Sequence, residues 1–287
     1  MQNSTTLVVK NLWWPFGAHL LHMKWAYINS LMNGYNFFYK YNDSPVFIDG
    51  KIDHYYESLN SISENELQNS IQIHHNPDHS NLNLRGHYFP NEYANAHDFH
   101  SDILKKIYQP KEYIQKIINS NSLLNNLKCN DIKYIALHIR LGDKVNGHMK
   151  ETNAIPLCEY FNKCKEVKEK YGLTTIVICS DTSDGLEEIL ELNSNNEFQL
   201  LFNDENRNKN IWSESIVQKV LNGYNDREKL EIEYLNCFIN YELLLNSEII
   251  IGNWDSCFCL VPVEMRNNKK DININQSNSP IWGIITQ

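Results

Sequence analysis

The chain has 287 residues, enough for one large domain or two of ordinary size. Hydrophobic residues make up 42% and the formal net charge is -9, which excludes binding to nucleic acid through bulk positive charge. No segment has the apolar length of a membrane span, and residues 1–10 lack the order of a secretory signal.

The seven cysteines include no Cys-x-x-Cys pair, which predicts buried thiols and a reducing compartment such as the cytoplasm. A chain cut from a membrane-anchored Golgi protein is the alternative.

The first forty residues predict a βαβ unit. Residues 7–9 are a short apolar strand, apolar side chains recur at helical spacing from Ala18, and residues 36–39 are a second strand. Asn33-Gly34 supplies the stop for the helix. Gly17 lies at the start of this helix, where unpaired backbone N–H groups suit an anionic or hydroxyl-rich ligand.

The following segment has weaker patterns. Residues 42–100 are rich in Asn, Ser and His, and we predict loops there with short elements around residues 46–48. Helical spacing returns at residues 103–108 and, after Pro110, at residues 111–119.

The second half of the chain alternates strands with helices. Continuous apolar runs predict strands at residues 134–137, 175–179 and 248–252. Helical spacing predicts helices at residues 159–171, 186–192 and 228–245, and the start of a terminal helix at residues 261–265. Such alternation is typical of the α/β class, with parallel sheets covered on both faces. The predicted boundary falls near residue 150, which gives domains 1–150 and 151–287.

Polar side chains follow three of these strands. The groups are His138, Arg140 and Asp143 after the first strand, Ser180-Asp181 after the second, and Asn253 to Ser256 after the third. All three lie at the carboxyl ends of predicted strands, the edge at which open parallel sheets bind ligands. The sequence therefore predicts a ligand site at this edge.

Arg140 is the most informative of these residues. A guanidinium keeps its charge and presents a planar fork of donors, so at a strand end it favours an anionic oxygen acceptor such as a phosphate. A local salt bridge between Arg140 and Asp143 is the alternative that the residues leave open.

The same stretch resembles a known family. His138-x-Arg140-x-x-Asp143-Lys144 is similar to the His-x-Arg-x-x-Asp-Lys motif of the α-1,6-fucosyltransferase group, which is related to the α-1,2- and protein O-fucosyltransferases. Further similar segments follow the order of that group, at residues 16–22, 179–181 and 254–259. The resemblance covers most of the chain.

The resemblance implies an α/β, GT-B-like fold: two Rossmann-type domains with parallel sheets facing a cleft. Residues 1–150 would be the acceptor-side domain, and residues 151–287 the nucleotide-sugar-binding domain with a terminal helix. The implied activity is metal-independent, inverting transfer of L-fucose from GDP-fucose to a carbohydrate hydroxyl of a glycan acceptor, without a cofactor. Arg140 would neutralise the leaving diphosphate. The implied donor-binding residues are Gly17, His19, His138, Arg140, Lys144, Asp181, Asn240, Asp255, Ser256 and Cys257.

The catalytic base has three candidates. The carboxylate of the family aligns with His148, and Glu151 lies one short loop farther. Either could accept the proton of the acceptor hydroxyl, because imidazole titrates near neutrality and burial tunes a carboxylate upward. Asp143 is the third candidate.

Three positions depart from the family pattern. Leu141 replaces a second Arg, Cys257 replaces a Gln, and Asn240 falls where the family has a guanine-binding Asp. These departures leave two alternatives open: a glycosyltransferase that uses another nucleotide sugar, and a non-catalytic glycan- or nucleotide-binding relative.

Overall fold

The computed structural model describes residues 4–10, 16–40, 55–74, 88–141, 154–181, 184–203 and 227–275. The described residues fall into two units. Unit 1 holds those up to Lys111 together with Glu264–Asn267, and unit 2 holds Glu112–Val263 and the residues from Asn268 onward.

Unit 1 contains a parallel three-stranded sheet in the order β2-β1-β3. Its strands are β1 (Thr5–Lys10), β2 (Asn36–Lys40) and β3 (Ile71–His74). Helix α1 (Phe16–Asn33) connects β1 to β2, which confirms the predicted βαβ unit. Gly34 ends this helix with a φ of 65°, a left-handed conformation that glycine adopts without strain.

Two more helices belong to unit 1. Helix α2 (Glu64–Gln68) begins at Ser63, whose side chain forms a capping box with Glu66. Helix α3 (Ala96–Ile107) starts earlier than predicted, because Asn95 caps it by accepting the backbone N–H of Asp98. The short elements predicted around residues 46–48 lie outside the described residues.

Unit 2 is built on a parallel five-stranded sheet in the order β6-β5-β4-β7-β8. Its strands are β4 (Ile135–Ile139), β5 (Thr175–Ser180), β6 (Gln199–Phe202), β7 (Ile249–Gly252) and β8 (Ile272–Asn273). The three central strands β5, β4 and β7 are buried at every residue, as their apolar runs predicted.

Helices precede and connect the strands of this sheet. Helices α4 (Glu112–Ser120) and α5 (Ser122–Cys129) precede β4. The connecting helices are α6 (Leu157–Tyr171), α7 (Asp184–Leu192), α8 (Arg227–Leu245) and α9 (Cys257–Arg266). Helix α6 shows why the pattern was readable: it buries Leu157, Phe161 and Cys164 on one stripe against the sheet. Gly172, with a φ of 72°, ends α6 where the sequence predicted its stop.

The boundary between the units differs from the predicted one near residue 150. Strand β4 pairs with β5 on one side and β7 on the other, so the segment that leads into β4 belongs with the second half of the chain. Unit 2 consequently begins at Glu112. The predicted fold class, α/β with parallel sheets, is confirmed.

The cysteines agree in part with their prediction. All seven lie among the described residues and none forms a disulfide. Cys164, Cys179 and Cys259 are buried, whereas Cys129 and Cys158 are exposed because they face outward on α5 and α6. Within the described ranges, no helix is long and apolar enough to cross a membrane.

Candidate active site

The register of the sheet brings the three polar strand ends together. His138 lies opposite Cys179 in β5 and opposite Gly252 in β7. Arg140, Asp181 and Asn253 therefore leave the sheet at the same edge from adjacent parallel strands. This juxtaposition was predicted from the strand pattern, and it defines the candidate site of unit 2.

Arg140 forms an ion pair with Asp181. Arg140 Nη1 lies 3.1 Å from Asp181 Oδ2, and the two side chains are 15% and 10% exposed. The other carboxylate oxygen, Oδ1, accepts the backbone N–H of Leu141 at 2.9 Å. A single carboxylate thus binds both the guanidinium and the backbone that follows it. Asp143, the local partner considered from sequence, lies outside the described residues.

His138 is a buried, neutral imidazole. Its ring stacks on Phe258 of α9 at a centroid distance of 5.6 Å and an interplanar angle of 21°. Burial, and then the charge of Arg140, lower the pKa of His138 to about 3. Its Nδ1 has no hydrogen-bond partner among the described residues. At neutral pH this ring can exchange hydrogen bonds with a ligand but adds no positive charge.

The third strand end leads into helix α9. Asn253 Oδ1 accepts the N–H of Asp255 at 2.9 Å, and the Asn253 carbonyl accepts the N–H of Ser256 at 3.1 Å. The Ser256 carbonyl accepts the N–H groups of Cys259 and Leu260, each at 2.9 Å. This turn sets the N-terminus of α9 at the carboxyl end of β7, an arrangement that favours anions. Ser256 and Cys257, predicted from sequence, lie at this terminus.

Gly252 is a site residue that the sequence reasoning did not identify. A Cβ at this position would lie 2.5 Å from Cys259 Sγ and 3.1 Å from His138 Cβ. The absence of a Cβ at Gly252 therefore lets Cys259 of α9 approach β7 this closely. The available signal was a glycine at the end of a strand followed by polar residues.

Asp255 and Asn240 are the two remaining predicted site residues among the described residues of unit 2. Burial raises the pKa of the Asp255 carboxyl, although a hydrogen bond from Asn275 opposes this effect. Asn240, on α8, is 5% exposed, and its backbone carbonyl accepts the thiol of Cys179 at 3.8 Å. Neither Asp255 Oδ1 nor Asn240 Oδ1 has a hydrogen-bond partner within the described part of the chain. Both acceptors are available to a ligand group or to a residue beyond the described ranges.

Gly17 and His19 belong to unit 1. Gly17 lies in the first turn of α1, where the sequence placed a helix start, and both residues are buried. His19 Nε2 lies 3.3 Å from the Tyr39 hydroxyl. Burial, and then the neighbouring His22, lower the pKa of His19 to about 3, so this imidazole is also neutral.

Four predicted residues cannot be located. Asp143, Lys144, His148 and Glu151 lie outside the described residues, so their roles stay predictions. The described side chains contain no group of three or more potential metal ligands.

The comparisons with known proteins identify the fold. No protein-family model matches the chain, and no curated protein sequence matches it. The crystal structure of NodZ α-1,6-fucosyltransferase soaked with GDP-fucose is similar with a TM-score of 0.53 and 11% identity, over 92% of this chain and 93% of that one. POFUT1 in complex with GDP-fucose is similar with a TM-score of 0.50 and 8% identity, over 96% of each chain. The chain therefore has the α/β, GT-B-like fold that these fucosyltransferases share.

Proposed function

We propose that the chain is a glycosyltransferase that moves L-fucose from GDP-fucose to a carbohydrate hydroxyl of a glycan acceptor. The observation that carries the proposal is the carboxyl edge of the unit 2 sheet. There a fixed guanidinium, Arg140, and the N-terminus of α9 leave neighbouring strands. The fold similarity to proteins solved with GDP-fucose supports the same reaction class.

Charge on the leaving group explains why this edge would accelerate transfer. As the glycosidic bond breaks, the electron pair of that bond moves to the diphosphate, whose negative charge increases. Arg140 and the positive N-terminal end of the α9 dipole then stabilise the transition state more than the bound substrate. Losing one donor of this kind typically costs about 10²–10³ in rate.

The neighbouring groups have complementary proposed roles. His138 would position the nucleotide through hydrogen bonds, since its neutral ring offers one donor and one acceptor. Asp255 and Asn240 would offer acceptors to the nucleotide, and Lys144 a further cation. Gly17 and His19 stay predicted contacts of the nucleotide sugar, and we propose unit 1, which contains them, as the acceptor-side unit.

The chemical step needs a base but no metal or cofactor in this proposal. An acceptor hydroxyl attacks the anomeric carbon on the face opposite the diphosphate, so its configuration inverts. The hydroxyl proton passes to His148 or Glu151, with Asp143 as the third candidate. The new carbon–oxygen bond replaces the bond to GDP, which leaves.

A hydrolysis screen over a panel of nucleotide sugars tests this function. We expect slow release of GDP from GDP-fucose without an acceptor. Calorimetry should give a lower Kd for GDP than for UDP or CDP. Binding of GDP without turnover of any donor would indicate a non-catalytic binding protein instead.

A second candidate is transfer from another nucleotide sugar. Asn240 favours it, because an amide presents both a donor and an acceptor where the resemblance implies a guanine-binding carboxylate. Tighter binding of UDP or CDP than of GDP would select this alternative.

A further inference from the structure

Asp181 holds Arg140 from the neighbouring strand. β4 and β5 run parallel with Ile139 opposite Ser180, so the next residue of each strand leaves the sheet beside the other. The 3.1 Å contact between the two charged groups is largely shielded from solvent. Salt screens the attraction within a shielded ion pair much less than the attraction within a surface pair. The contact with Asp181 therefore strongly influences where the Arg140 guanidinium lies.

The second oxygen of the carboxylate fixes its orientation. Because Asp181 Oδ1 accepts the Leu141 N–H, the carboxylate cannot rotate away from Arg140 without losing a backbone hydrogen bond. The side chain and the backbone at the end of β4 are therefore held by the same group.

Packing of α7 against the ends of β4 and β5 further restricts the movement of Arg140 and Asp181. A Cβ at Gly185, in α7, would lie 3.2 Å from both Ile139 Cγ2 and Leu141 Cδ1. It would also lie 3.4 Å from Ser180 Oγ. Helix α7 thus begins directly against the ends of both strands, which limits how far Arg140 and Asp181 can separate.

We propose that Asp181 is a positioning residue: it orients Arg140 for the leaving diphosphate and does not itself bind the donor. This inference rests on the proposed function. A carboxylate in contact with the diphosphate would repel it. A carboxylate that binds the Arg140 guanidinium engages only some of the five N–H donors of that guanidinium. A donor fixed before the reaction needs no reorganisation when charge develops on the leaving group.

The Asp181→Asn variant separates positioning from direct binding. We expect kcat for donor hydrolysis to fall at least about tenfold, while the calorimetric Kd for GDP changes less than about threefold. The small change in Kd follows because the substitution removes two opposing effects together. One is the ion pair that holds Arg140 in place, and the other is a negative charge that repels GDP. The Asp181→Glu variant keeps a carboxylate and should recover part of kcat. A loss of GDP affinity equal to the loss of kcat/KM would identify Asp181 as a donor ligand and overturn the inference.

A double-mutant cycle tests whether Asp181 acts through Arg140. In an Arg140→Lys background, which keeps a charge but lacks the fork, Asp181→Asn should lower kcat less than about threefold. Equal losses of kcat in the wild-type and Arg140→Lys backgrounds would overturn the inference, because independent residues give additive effects.

Asp271→Asn is the matched control. Asp271 Oδ1 accepts the Ile250 N–H of β7 at 2.8 Å, so it is a carboxylate bound to the backbone of the same sheet. This variant should lower the free energy of unfolding and leave kcat unchanged.

A wild-type protein that neither binds GDP nor turns over any nucleotide sugar refutes the proposed function itself. An active wild type with additive losses refutes the role of Asp181 alone.

Discussion

Two imidazoles lose their charge when the chain folds. Burial lowers the pKa of His138 and of His19 from 6.5 to about 3. Between these values the unfolded chain binds protons that the folded chain does not. The contribution of these two rings to the free energy of unfolding therefore falls as the pH drops below about 6.5, and well above that pH it no longer depends on pH.

Replacing His138 by Gln should remove its share of this acid sensitivity. One such histidine accounts for about 2 kcal/mol of the stability lost between pH 7 and pH 5. Urea unfolding of both proteins at the two pH values measures the difference. An equal loss of stability in the wild type and in His138→Gln would show that this ring titrates normally in the folded protein.

The position of Arg140 at the sheet edge could be predicted from sequence, but its ion-pair partner Asp181 could not. A charged residue directly after an apolar strand is a local pattern, and it indicated the sheet edge correctly. The pairing with Asp181 depends on which strand lies next to β4 and in which register, which no local pattern contains. The local partner considered from sequence, Asp143, was the only one that spacing alone could suggest.

At the scale of elements, Gly252 allows α9 to pack against the central strands. We expect Gly252→Ala to lower the free energy of unfolding by about 1–3 kcal/mol, because the new methyl group would overlap Cys259 Sγ. Adding Cys259→Ala should recover most of this loss. Gly185→Ala is the comparison, since its Cβ would meet side-chain atoms at 3.2 Å or more. A double variant no more stable than Gly252→Ala would contradict this packing.

Strongly patterned elements were predicted and weakly patterned ones were not. Strands β4, β5 and β7 are continuously apolar because they are buried on both faces. Strand β3 is exposed at all four residues, and β8 has only two, so neither carries a burial pattern. Helix α5 buries only Leu127, which leaves no stripe for its spacing to reveal.

At the scale of the whole molecule, a buried ion pair joins residues far apart in sequence within unit 1. Lys24 Nζ lies 2.5 Å from Glu264 Oε2, with the side chains 0% and 6% exposed, and it also lies 4.1 Å from the Trp25 ring centroid. Nearby, Ser101 Oγ donates to the Met265 carbonyl at 2.6 Å. These contacts hold the last turn of α9 in unit 1.

Breaking this pair from one side should be costly. We expect Lys24→Ala to lower the free energy of unfolding by about 3–5 kcal/mol, because Glu264 would remain buried without its cation. Replacing both residues, as Lys24→Met with Glu264→Leu, should cost far less. The exposed pair Lys163–Glu166 is the control, worth less than about 1 kcal/mol. Denaturant unfolding in which the double variant is as unstable as Lys24→Ala would contradict this expectation.

The most direct test of the proposed function is calorimetric titration of GDP into the wild type and Arg140→Ala, with circular dichroism to verify folding. Lys270→Ala, which removes an exposed cation near β8, controls for the change in net charge. We predict that Arg140→Ala keeps its fold, binds GDP about ten- to a hundredfold more weakly and loses transfer, because charged hydrogen bonds contribute about 1.5–3 kcal/mol. Lys270→Ala should bind GDP like the wild type. A folded Arg140→Ala protein with unaltered GDP affinity would contradict the assignment of this guanidinium to the diphosphate.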